Sequence, residues 1–254
     1  IENHAERGRL FMILPQPKDA QHKLVMLRLL REILCNKDLR LCLQFKGGTY
    51  AALRGVLDRF SVDLDFDLPD KSKKKQVRQA CYRIFDKLGF QIKDESKKYL
   101  QFFLRYEAKA GERNTIKLEI NDKPSIKNTY EKIHLKEINM YCSGHTLGTM
   151  VANKLVASLA RFEKTNKIAG RDFYDLWYFF LNGLPVNQAV VENSTKMSYV
   201  KYLDKVVEFL ERRVTDKVLN QDLNPLLPVS VLNKTIQQIR PELLSLLKDE
   251  ISRN

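Results

Sequence analysis

The chain has 254 residues, 44% hydrophobic and 30% charged, which describes a globular protein able to bury its own core and excludes a disordered one. Lys and Arg number 44 against 31 Asp and Glu, a net charge of +13 that favours polyanionic partners through steering and counterion release. No apolar run approaches the ~18 residues of a membrane span. The densest, LWYFFL at 176–181, is too short, and FMIL at 11–14 lacks the features of a secretion signal, so the expected location is the cytoplasm. Cys35, Cys42, Cys81 and Cys142 lack the CxxC spacing of a zinc or redox site.

In chain order, Leu24, Leu27, Leu30, Ile33 and Leu34 recur at helical spacing and predict a helix over 19–35. Leu39, Leu41, Leu43 and Phe45 alternate, which predicts a strand over 39–45. A Gly47–Gly48 turn and a short helix over 49–57 follow. Then Val62, Leu64, Phe66 and Leu68 point to one face of a strand, while Ser61, Asp63, Asp65 and Asp67 line the other. A lysine cluster at 71–75 opens a helix with Val77, Ala80, Cys81, Ile84 and Leu88 on its apolar stripe, ended by Gly89. A strand region is expected at 90–140, with QIKDES, YLQFFLRYEA, TIKLEIND and IHLKEINMY as its strands. From Thr146 the periodicity is helical, with helices over 146–163, 170–182, 186–193, 197–213, 229–237 and 241–252. The expected architecture is α+β: a mixed α/β half at 1–143 and an all-helical half at 144–254.

Three carboxylates on one strand face repel each other unless a cation sits among them. Asp63 and Asp65, at i and i+2, stand ~7 Å apart along the backbone and suit one or two Mg²⁺ ions, although a solvated edge strand gives the same pattern. Asp67, at the strand end, is expected to face solvent. Gly47, Gly48 and Thr49 form a turn in which backbone amides and a hydroxyl can approach a phosphate, with Lys46 alongside; an ordinary strand-to-helix turn reads the same way. Glu119 in TIKLEIND is the candidate third acid and equally an exposed strand glutamate. Lys154, Ser158 and Arg161 share one face of their helix, directed to solvent or to a triphosphate. Asp172 and Asp175 lie one turn apart at the start of the next helix, where acids suit the dipole. They also form a pair able to orient a lysine or take a proton from a nucleophile. His4, His22, His134 and His145 show no metal-ligand spacing, and the aromatic residues around Trp177 fit a helix core.

FKGGTYAAL, RFSVDLDFDL, NKLVASLAR and GRDFYDLW, in that order over about residues 43–181, resemble the AbiEii/AbiGii toxin-like nucleotidyltransferases. That group includes abortive-infection toxins and the MenT toxins of toxin–antitoxin systems. The resemblance implies a polymerase-β-like nucleotidyltransferase domain with a mixed sheet, followed by a helical C-terminal domain that completes the nucleotide cleft. It implies phosphate contacts from Gly47, Gly48 and Thr49, a metal pair in Asp63 and Asp65, an essential lysine in Lys154, and a closing acid pair in Asp172 and Asp175. Arg59 and Ser61 fit the same nucleotide-binding pattern, and Glu119 is a weaker match to a third acid. The expected activity is Mg²⁺-dependent transfer of an NMP from an NTP to RNA, with the family pointing to tRNA 3′ ends and to a cognate antitoxin. A protein hydroxyl as acceptor, γ-phosphate transfer, or a nucleotide- or RNA-binding regulator with little turnover are the alternatives. No motif is matched after residue 185.

Overall fold

The computed structural model describes residues 12–254, so His4 and Phe11, the first residue of the FMIL segment, lie outside the described residues. Seven strands build one sheet: β1 (Gln44–Lys46), β2 (Leu64–Asp67), β3 (Gln91–Glu95), β4 (Leu100–Arg105), β5 (Thr115–Asn121), β6 (Tyr130–Leu135) and β7 (Met140–His145). Their order is β3–β4–β5–β2–β1–β7–β6, with β2–β5 and β1–β7 parallel and the other pairs antiparallel. Side chains alternate across each strand, so one face of the sheet is apolar, with Phe45, Phe66, Leu118 and Phe102 buried. Two long helices serve that face, α1 (Asp19–Cys35) against β7 and α4 (Lys74–Lys87) against β3 and β4, where Phe85 meets Phe102 edge-on with ring centroids 5.1 Å apart. The other face is polar. Strand register aligns Gln101 with Glu119, Glu119 with Asp65, and Asp65 with Lys46 in a single row across four strands.

The sheet leads into α5 (Leu147–Thr165), α6 (Gly170–Leu181), α7 (Gln188–Thr195), α8 (Tyr199–Arg213), α9 (Asp216–Leu223) and α10 (Val229–Ser252). The fold is α+β, with a mixed sheet followed by helices, and one continuous set of buried side chains runs through both halves. The last strand ends at His145, two residues beyond the expected change of character near 143.

Four expectations require correction. Residues 39–43 are not a strand: Asn36 accepts a hydrogen bond from the Leu39 amide and caps α2 (Lys37–Cys42), which leaves Leu41 75% exposed. IHLKEINMY is not one strand but the end of β6, a 3₁₀ turn and the start of β7, reversed at Asn139 with φ 50°. Residues 216–223, unassigned from sequence, form α9 beneath a Thr215 cap. Pro241 does not divide the last helix: α10 runs through it, because Leu232, Ile236, Ile239, Leu243 and Leu247 form one buried stripe across the proline.

Candidate active site

Strand β1 ends at Lys46 and turns at once into α3 (Gly47–Leu53). Gly47 has φ +78°, a conformation that suits glycine, and a Cβ there would run into the Asp65 carboxylate. A Cβ on Gly48 would lie 2.9 Å from both Arg59 Nη2 and Ser61 Oγ. The two glycines therefore bring bare backbone against the acidic strand. Thr49 is fully buried, its hydroxyl 2.9 Å from Ser61 Oγ and also bonded to the Asp63 carbonyl. Its side chain fastens the turn to the residues before β2. Ser61 is itself buried at that junction.

Asp63 and Asp65 are half-buried on the polar side of the sheet. Burial, with the neighbouring Asp63 charge next in size, pushes the Asp65 carboxyl up to about 6, Lys46 opposing and Glu119 adding to the rise. Glu119 stands opposite Asp65 in register, but its carboxylate is engaged by Lys117 and by Gln101 Nε2 at 3.2 Å. Burial would raise the Glu119 carboxyl, and those two partners outweigh it and hold it below its ordinary value. Among the described residues, no three His, Cys, Asp or Glu side chains come together as a metal cluster. What remains is a pair of hard carboxylate groups whose mutual repulsion Lys46 offsets only in part, a donor set that fits Mg²⁺ better than a soft transition metal.

Asp67 does not face solvent. It is fully buried, with Lys46 Nζ at 2.6 Å, His145 Nε2 at 2.8 Å, Asn128 Nδ2 at 2.9 Å and the Tyr130 hydroxyl at 3.2 Å. Burial alone would raise its carboxyl; the His145 hydrogen bond and the Lys46 ammonium outweigh that and bring it down to about 2. The same contacts fix Lys46 beside Asp65. Sequence reasoning missed His145, Asn128 and Tyr130 here, and the only available signal was the parity that puts Asp67 on the same face as Asp65.

The helices supply a second cluster. Lys154 Nζ lies 2.9 Å from Asp172 Oδ1 and 2.8 Å from Asp175 Oδ2, bridging the two acids. Burial alone would lower the Lys154 ammonium; Asp172 and Asp175 outweigh it and hold it above its ordinary value. Asp172 also receives Arg161 Nε at 3.3 Å. Ser158, on the same helical face, turns inward and bonds the Leu155 carbonyl at 2.7 Å. Arg59 is buried and gives Nε and Nη2 to Asp175 at 2.5 and 2.7 Å, so its charge is engaged within the protein. Through Arg59, which abuts Gly48 and bonds Asp175, the glycine turn and the lysine cluster are one connected assembly. Trp177 is buried and donates to Glu242 at 2.8 Å.

The family described as "Nucleotidyl transferase AbiEii toxin, Type IV TA system" matches residues 28–236, a span that takes in both clusters. The chain belongs to this family. It is accordingly a nucleotidyltransferase of the AbiEii toxin group, a membership that carries a nucleoside triphosphate substrate and an antitoxin partner. Among solved structures, the chain is similar to MenT4, a nucleotidyltransferase toxin from Mycobacterium tuberculosis H37Rv, with a TM-score of 0.55 and 21% identity over 94% of this chain and 88% of that one. An antigenic nucleotidyltransferase-like protein from Paracoccidioides brasiliensis aligns with a TM-score of 0.47 and 14% identity over 84% of this chain and 96% of that one. At such identities the likeness concerns the fold. No curated protein sequence matches this chain. Among the described residues, no helix is long and apolar enough to cross a membrane.

Proposed function

We propose that this AbiEii-family chain transfers an NMP from an NTP to an RNA acceptor, with tRNA 3′ ends the favoured substrate, in a Mg²⁺-dependent reaction. The observation that carries the reading is the contact of Gly47 with Asp65: bare backbone able to approach a phosphate meets the acid pair with no side chain between them. Asp63 and Asp65 would hold the Mg²⁺, which when bound neutralises triphosphate charge and eases ionisation of the attacking hydroxyl. Gly47 and Gly48 receive the phosphates through backbone amides. Lys154, kept charged by Asp172 and Asp175, offsets the negative charge that develops as pyrophosphate leaves. Arg59 and Thr49 hold these parts in register, and Asp175 anchors both Arg59 and Lys154. In this reading residues 1–143 are the catalytic unit and residues 144–254 the helical unit that closes the cleft. The net charge of +13 supports a polyanionic acceptor over a protein hydroxyl.

The test incubates α-labelled NTPs with total tRNA and Mg²⁺, comparing wild type with Asp63→Ala. Labelled tRNA from the wild type alone supports the proposal. Equal labelling by both proteins, or label appearing only on protein, refutes it.

A further inference from the structure

A cavity of about 510 Å³ opens between the segment after β4, the start of α6 and the connection from α9 to α10. Arg113, Arg161, Lys167 and Arg171 line it, against a single acid, Asp222. Val62, the residue before Asp63, forms part of its wall. Arg161 reaches from the same wall to Asp172, the partner of Lys154. Arg113 has only long contacts, 3.5 Å to Asp19 and 3.5 Å to the Pro225 carbonyl. Among the described residues, the side chains of Lys167 and Arg171 make no ion pair or hydrogen bond. Like charges gathered in a concavity repel one another, and an anion there relieves the repulsion.

Its links to the site say which anion. Gly47 abuts Asp65, whereas the basic cavity joins the assembly through Arg161 and Asp172, so the glycine turn and the cavity meet it through different residues. Phosphoryl transfer places the attacking and leaving oxygens roughly in line on opposite sides of the reacting phosphorus. A triphosphate held at the glycine turn leaves the basic cavity to the incoming acceptor. We propose that this cavity is the subsite for the phosphodiester backbone of the RNA acceptor, gripping the nucleotides just upstream of the one whose hydroxyl attacks. The inference rests on the nucleotidyl-transfer reading above and adds the place and residues of acceptor binding. Lys167 is exposed and Arg171 half-buried, so both are open to a strand arriving from solvent.

The experiment compares the full chain with Lys167→Ala, Arg171→Ala and the double variant, after melting curves confirm that each folds. Total tRNA is titrated across a salt series without turnover, NTP is titrated separately, and KM and kcat are measured with tRNA. The expected result is RNA affinity about 3- to 10-fold weaker for each substitution, with the slope of log affinity against log salt falling by ~0.7 per lost contact on a single strand. NTP affinity should stay within about twofold, KM for tRNA should rise with kcat little changed, and Lys167→Arg should restore binding. Unchanged RNA affinity and slope overturn the subsite, and so does a parallel loss of NTP affinity, which would put the triphosphate in the cavity. A wild type that neither binds nor labels tRNA overturns the subsite together with the reading beneath it. A wild type that labels tRNA, paired with a double variant of unchanged KM, overturns the subsite alone.

Discussion

Arg59 and Asp175 are joined by two hydrogen bonds, of 2.5 and 2.7 Å, although 116 positions separate them in the chain. Both side chains are buried, and the pair ties the segment before β2 to α6. Removing Arg59 leaves Asp175 held by Lys154 Nζ at 2.8 Å, so the loss falls short of that for a stranded buried charge, at about 1.5–3 kcal/mol. Arg59→Met should lower unfolding stability in urea by that amount, with Arg59→Lys losing less because the charge survives. A change below about 1 kcal/mol for Arg59→Met would mean that the pair does not hold the halves together.

Gly47 gives a sharper test of the turn. Alanine at its φ of +78° carries backbone strain of about 1–3 kcal/mol and also drives a methyl group into Asp65. Gly183 provides the control, with φ +64° and open space where its Cβ would be. Both alanine variants should lose stability in thermal melts, Gly47→Ala the more because of the clash, but only Gly47→Ala should lose transfer activity, by at least ~10-fold.

Asp65 predicts a pH effect opposite to that of an ordinary salt-bridged acid. Its carboxyl sits at about 6, above the value of 3.8 that it has outside the fold, so the folded protein binds the proton more tightly. Stability is therefore lost as pH rises through that window, by about 1–2 kcal/mol once the solvent contact of a half-buried group is allowed for. Asp65→Asn should be more stable than wild type at pH 8 and nearly equal to it at pH 4. Added Mg²⁺ should raise the melting temperature of wild type and not of the variant. Identical pH–stability profiles for the two proteins would contradict this.

Asp67 behaves in the reverse sense. Its carboxyl is brought down to about 2 from 3.8, so the stability it contributes is present above pH 4 and is lost as pH falls toward 2. Asp67→Asn should cost about 2 kcal/mol at neutral pH and flatten the acid limb of the stability curve. It should also slow transfer, because Lys46 loses the partner that holds it beside Asp65. Retention of full activity would show that Lys46 needs no such anchor.

The readable parts of the sequence were those governed by neighbours along the chain. The stripe Leu27, Leu30, Ile33 and Leu34 located α1 with its observed bounds, and the alternation over 62–68 located β2 and its polar face. Leu39, Leu41 and Leu43 misled because alternation is compatible with a short helix once Asn36 caps it. The helices expected over 229–237 and 241–252 are one, because burial on both sides of Pro241 outweighs the one backbone hydrogen bond that proline forfeits. Asp67 was placed in solvent because its partners arrive from β1, the segment before β6, β6 and β7, and no local pattern reveals that they converge. For the same reason the sequence did not reveal that the Arg59 guanidinium is bonded to an acid 116 residues away.

The central claim is that this assembly moves an NMP, and label position tests it most directly. With total tRNA as acceptor, the α-phosphate label of an NTP should appear on the RNA and the γ-label should leave with pyrophosphate. Asp65→Ala and Lys154→Ala should each reduce transfer by at least ~100-fold. Retention of the γ-label on the acceptor, or undiminished transfer by either variant, would contradict the account.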